Sequence, residues 1–175
     1  MVDADRAGFL RRFGGIYEHS PWVAEQAYAE AAGLGDPEKL AEVFARCVDA
    51  ADDERKLALI RAHPDLAVRA AAGALHTDDL TAASREEQAS AGIDQCTKDE
   101  FRQFQDLNRR YKEKFGFPFV MAVRNSNKHE ILAAFATRLE NDAHTEFDTA
   151  IAEIHKIARL RLLVGARHCG RPPQR

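Results

Sequence analysis

Lys114-Phe115-Gly116-Phe117-Pro118-Phe119-Val120-Met121-Ala122-Val123-Arg124 is the one long apolar run in this chain that lacks helical spacing. A helical pattern runs up to it and another begins just after it. Gly116 relaxes the backbone and Pro118 lacks an N–H, so the preceding helix ends there. Beyond the break, residues at about 117–124 read as an extended segment inside an otherwise helical protein. Its peptide groups have no helix ladder to satisfy them, so they find other partners or offer themselves to a ligand. The segment is therefore expected to form one wall of a pocket.

Outward from that run, the chain divides into helices by its own punctuation. A first helix spans about Ala4 to Phe13 and stops at Gly14-Gly15. Ser20-Pro21 opens a second, with Pro21 at the first helical position, running to Gly33. Asp36-Pro37 opens a third, whose Leu40, Val43, Phe44, Cys47 and Val48 follow an amphipathic stripe. Asp52 caps a fourth, from Asp53 to Ala62, which breaks at His63-Pro64 because the residue before proline leaves the helical region. Asp65 to Ala74 reads as helix, and His76 to Asp79 as a loop. Leu80 to Ala91 is helical and closed by Gly92. Thr97 caps a long helix carrying Phe101, Phe104, Gln105, Leu107 and Tyr111 on one face. Asn125-Ser126-Asn127 is a turn and cap, followed by helices over about Lys128–Glu140 and Thr145–Arg167. Strand alternation is absent. The expected fold is all-α, a single-domain bundle of about eight or nine helices with the extended segment lining the site. The domain covers 1–165, and 166–175 is a basic, flexible tail.

Composition excludes several classes. A chain of 175 residues is long enough to bury a core, and a net charge of −3 at pH 7 makes no electrostatic case for nucleic acid or an anionic membrane. No apolar run is long enough to span a bilayer, and the first residues show no signal-peptide core. Cys47, Cys96 and Cys169 have no metal or redox spacing, and an odd count suits a reducing cytosol. The expected location is cytoplasmic. His19, His76, His129, His144, His155 and His168 show no ligand spacing, so no metal site is expected. There is no phosphate loop and no nucleophile elbow.

Three charged or titratable residues stand out. His63 lies on a corner made rigid by Pro64. It reads either as a helix-end histidine favoured by the dipole or as an acid/base group titrating near neutrality. Ser84-x-x-Glu87 matches a capping box. On a continuous helix, however, Leu80, Ala83, Ser84, Glu87 and Ala91 share one stripe, and Glu87 turns inward with no cation at i±3 or i±4. Arg161 lies on the stripe of Phe147, Ile151, Ile154 and Ala158, also without a local acid. A guanidinium keeps its charge, so an inward one requires an anion from elsewhere: Glu87, a substrate carboxylate, or the partner in a purely structural ion pair.

Four motifs occur in order: His63-Pro64-Asp65-Leu66, Ser84-x-x-Glu87-Gln88, Phe115-Gly116-Phe117-Pro118-Phe119-Val120, and Glu153-Ile154-x-Lys156-Ile157-Ala158-x-x-Arg161-Leu162. Together they resemble the 2-oxo-4-hydroxy-4-carboxy-5-ureidoimidazoline (OHCU) decarboxylases of urate degradation, from about Phe9 to Leu162. The resemblance implies an all-helical, cofactor-independent, homodimeric carboxy-lyase that makes (S)-allantoin and CO2. It implies His63 as proton donor, with Glu87 and Arg161 beside it in catalysis. It also implies a substrate site lined by Pro64, Ser84, Arg85, Glu86, Glu87, Gln88, Phe119, Val120, Met121, Ala122 and Val123. Association with urate oxidase or hydroxyisourate hydrolase fits the same pathway. One departure is visible: many relatives carry Ile-Cys-Ala-Arg where this chain has Met121-Ala122-Val123-Arg124. The competing classes are a non-catalytic helical binding module and an enzyme acting on a related hydantoin or ureide.

Overall fold

The computed structural model describes residues 5–67 and 81–169. Eight α-helices fall among them: α1 (Arg6–Phe13), α2 (Trp22–Ala31), α3 (Pro37–Asp49), α4 (Asp53–Arg61), α5 (Ala82–Ser90), α6 (Lys98–Phe115), α7 (Lys128–Leu139) and α8 (Ala143–Cys169). There is no strand among the described residues, so the fold is all-α as the patterning implies. No helix among them is long and apolar enough to cross a membrane.

The caps explain most of the boundaries. Asp5, Asp36, Asp52, Thr97 and Asn127 each accept a hydrogen bond from a backbone N–H two or three residues later. Gly116 closes α6 in the left-handed region, φ 76°, with its N–H on the Lys112 carbonyl. Three starts differ from the sequence reading. Ser20 does not cap α2, because its hydroxyl turns back to the Glu18 carbonyl at 2.9 Å, and the helix begins at Trp22. α5 is capped by Thr81, whose side chain takes the Ser84 N–H at 3.1 Å. Ser84 is thus inside the helix, and the Ser84/Glu87 capping box does not form. Asp142 takes the Thr145 N–H at 2.8 Å, so α8 starts ahead of Thr145. It also runs to Cys169, just past the expected helix end at about Arg167, and 170–175 lie outside the described residues. Of the helix expected over Asp65 to Ala74, the described residues Asp65–Ala67 are not helical. The remainder, with the His76–Asp79 loop and Leu80, lies outside the described residues.

The chain forms two compact units: residues up to Ala62 together with those from Ile154, and His63–Glu153. In the first, Phe44 on α3 is 1 % exposed and meets the rings of Phe9, Phe13 and Tyr17. Leu40, Val43 and Val48 are buried on the same helix, so the expected stripe faces its core. In the second, Phe104 and Tyr111 of α6 are fully buried, and Phe135 of α7 stacks on Phe119 at 3.7 Å between centroids. α6 and α7 thereby hold the extended run from one side.

Candidate functional site

The His63 corner comes first. α4 ends as the Ala62 N–H bonds the Ala58 carbonyl, and Pro64 forbids continuation. His63 is 8 % exposed. The chain after it is pinned residue by residue. Asp65 pairs with Lys112 at 2.6 Å, the Leu66 carbonyl accepts from Asn108 Nδ2 at 3.0 Å, and the Ala67 N–H donates to Gln88 Oε1 at 3.2 Å. Ala67 has φ 63°, a left-handed conformation that an alanine holds only when its surroundings fix it. The bonds to Leu66 and Ala67 supply that constraint. Asn108 was not singled out in the sequence, since a single amide on the face of a long helix reads as surface.

α5 faces inward with Ser84, Glu87, Gln88 and, beyond its end, Ala91. Glu87 is 8 % exposed, as its position on the small-residue stripe implies. Arg85 and Glu86 lie on the opposite, exposed face. Glu86 sits 3.6 Å from the Arg124 guanidinium, which ties α5 to the end of the extended run. Gln88 spends its Oε1 on Ala67, so this helix also sets the loop that follows His63.

The extended run has two edges. On one, the Val120 carbonyl accepts from Arg138 Nη1 at 2.7 Å, and the Ala122 N–H donates to Glu153 Oε2 at 3.0 Å. In an extended chain the polar groups of residues two apart face the same way, and this is the pattern seen. On the other edge the N–H and C=O of Met121 and the N–H of Val123 meet no partner among the described residues. The Val123 carbonyl is taken by the Ser126 N–H at 3.0 Å, which makes the turn into α7. Phe119, Val120 and Val123 are buried, while Met121 and Ala122 are half-buried.

Behind the occupied edge stands a buried charge network. Glu146 is 0 % exposed and takes Arg138 Nε at 3.0 Å, Asn141 Nδ2 at 2.8 Å and the Tyr111 hydroxyl. Arg138 also lies over the Phe119 ring, 4.2 Å from its centroid. Neither residue was named from the sequence, although a signal existed. Glu146 has no cation at i±3 or i±4, the same test that singled out Glu87 and Arg161. Arg138 was masked by Asp142 four residues on, which imitates an ordinary surface pair.

Arg161 belongs to the other unit. Its side chain is 7 % exposed and donates to Glu18 Oε2 at 2.7 Å and to the Ile16 carbonyl at 3.2 Å. The sequence reading did not name Glu18. It lies in an irregular stretch where no periodicity distinguishes inside from outside.

Comparison with known proteins places the chain among relatives of one kind. The family model described as OHCU decarboxylase matches residues 3–163. The 2-oxo-4-hydroxy-4-carboxy-5-ureidoimidazoline decarboxylase of Haloferax volcanii is 44 % identical over 158 residues, 90 % of this chain and 89 % of that protein. A uric acid degradation bifunctional protein of Bacillus sp. strain TB-90 is 42 % identical over 159 residues, 88 % of this chain but 29 % of that protein. The crystal structure of an (S)-allantoin synthase superimposes with a TM-score of 0.71 at 34 % identity, covering 92 % of this chain and 50 % of that one. This chain belongs to the OHCU decarboxylase family.

Proposed function

We propose that this chain decarboxylates OHCU to (S)-allantoin and CO2, using His63, Glu87 and the open edge of the extended run. What supports the assignment of roles is shared membership of one unit. A buried histidine, a buried carboxylate on α5 and an unoccupied peptide edge belong to the same compact unit, His63–Glu153.

The chemistry asks little more. In OHCU one ring carbon carries both the hydroxyl and the carboxylate. Its neighbour carries the ureido arm and a double bond to nitrogen. When the carboxylate leaves as CO2, the electron pair of the broken bond flows into that unsaturated C–N system. His63 engages the ring hydroxyl and delivers a proton to one face of the ureido-bearing carbon, which fixes the stereochemistry. Glu87 holds ring and ureido N–H groups, and its charge beside the departing carboxylate favours the less charged transition state. Gln88 bonds the amide edge of the ring. Phe119 to Val123 line the planar face and edge, with Pro64 and Ser84 completing the lining, while Arg85 and Glu86, on the exposed face of α5, stand outside it. The Met121-Ala122-Val123 departure is tolerated because the main chain of that run does the binding. Arg161 enters by resemblance alone, as an orienting cation for an anionic substrate.

The same reading includes a cytoplasmic homodimer that works without a cofactor. It extends to association with the enzymes of the preceding steps, a grouping consistent with the fused bifunctional relative. The test is to add the protein to freshly made urate oxidation product and follow CO2 and optical rotation together. Rapid CO2 release with build-up of one enantiomer is the expected result. Slow, racemic decay at the spontaneous rate would identify a binding module without catalysis.

A further inference from the structure

We propose that Arg138 and Glu153 are positioning residues which turn the Met121 peptide groups into a donor–acceptor pair for the ureide edge of the substrate. The inference rests on the functional reading above. It concerns residues that the four motifs do not assign to the site, and it follows from peptide planarity. The Val120 C=O and the Met121 N–H are the two ends of one trans peptide plane, so they point in opposite directions. Arg138 fixes the first at 2.7 Å and so aims the second at the open edge. The Met121 C=O and the Ala122 N–H are the ends of the next plane. Glu153 fixes the N–H at 3.0 Å and so aims the Met121 carbonyl the same way. One cation and one carboxylate behind the run therefore present one N–H and one C=O, side by side, in front of it. That is the complement of a cyclic urea or amide edge, which offers one C=O and one N–H.

The two anchors also polarise what they aim. A guanidinium on the Val120 carbonyl strengthens the Met121 N–H as a donor, and a carboxylate on the Ala122 N–H strengthens the Met121 carbonyl as an acceptor. Arg138 is well placed for this work. Glu146, itself tied to Tyr111 and Asn141, holds it, and the Phe119 ring lies against it, so its fork cannot swing away.

The test measures kcat and KM separately for Arg138→Lys and Glu153→Ala, with thermal melting to report the folded fraction. A third variant, Arg138→Met/Glu146→Leu/Tyr111→Phe, removes the buried charges and the phenol together, so that no unpaired charge is left behind if the lysine variant fails to fold. A charge-assisted hydrogen bond lost from an aimed peptide raises KM by about 10–100-fold. The expected result is that rise, with kcat changed less than about threefold because His63 is untouched. Unchanged KM in any folded variant overturns the proposal. A fall in apparent kcat that only tracks the folded fraction, at constant KM, overturns it as well and makes the network merely structural. Wild-type protein run alongside separates the two readings. If it shows no turnover, the decarboxylase reading fails and this one with it. If it turns over normally while the variants keep its KM, only the anchoring role is lost.

Discussion

The corner at Ile16–Ser20 and the run at Phe119–Val123 are both irregular chain, and a buried arginine grips each by a carbonyl. Arg161 takes Ile16 and Arg138 takes Val120, and each arginine is paired with a glutamate whose side chain is 0 % exposed, Glu18 or Glu146. They differ in what becomes of the other peptide groups. The corner bonds back along its own chain: the Ile16 N–H bonds the Phe13 carbonyl, the Ser20 N–H bonds the Tyr17 carbonyl, and the Ser20 hydroxyl bonds the Glu18 carbonyl. The run has two groups held from behind, the Val120 carbonyl and the Ala122 N–H, and leaves both groups of Met121 and the Val123 N–H open. Burying polar groups without partners is costly, so an open edge in a half-buried run signals a ligand more strongly than a buried ion pair does.

The sharpest break of this comparison is chemical. His63→Asn lowers kcat by about 10²–10⁴-fold with its melting curve preserved, as expected for loss of one general acid. The corner, by contrast, is expected to answer in stability. Glu18→Ala removes an acid from a guanidinium whose side chain is 7 % exposed, and lowers unfolding free energy by roughly 3–5 kcal/mol, read from a denaturant midpoint. Arg161→Lys asks whether the corner arginine also serves the reaction. The family role predicts a loss in kcat/KM of about tenfold or more, since the planar fork is gone. Unchanged kcat/KM would leave Arg161 as the keystone of the corner alone.

A smaller effect comes from pH. Burial, reinforced by the hydrogen bond to Glu146, pushes the Tyr111 phenol well above its ordinary value. Burial beside Asp49 does the same to Tyr17. Raised folded-state values mean that both contributions are complete below about pH 10, where the unfolded phenol titrates, and fade as pH rises beyond it. Denaturant titrations at about pH 9 and 11 should show that loss, with a shallower slope for Tyr111→Phe. An equal slope in the variant would mean that Tyr111 ionises as easily folded as unfolded.

Much of this was legible in the sequence, for identifiable reasons. Asp36, Asp52, Thr97 and Asn127 cap helices because short polar side chains reach exposed N–H groups, a local interaction that sequence spacing reports directly. Gly116 and Pro118 located the extended run for equally local reasons. Thr81 was missed because Leu80 to Ala83 has helical composition, and composition does not distinguish a cap from a first turn. The two buried glutamates divide on the same principle. Glu146 sits on a helix where the missing i±4 cation was visible, whereas Glu18 sits in irregular chain where only the fold decides its direction. The partition of the run into a held edge and an open one needed Arg138 and Glu153, whose contacts span 18 and 31 residues.

The most direct test of the open edge is an amide chemical-shift titration of the labelled protein with (S)-allantoin. The Met121 and Val123 N–H signals should shift strongly and saturate together, while those of Ile16 and Ser20 stay in place. Shifts confined to the corner, with Met121 and Val123 unmoved at saturating ligand, would contradict the account.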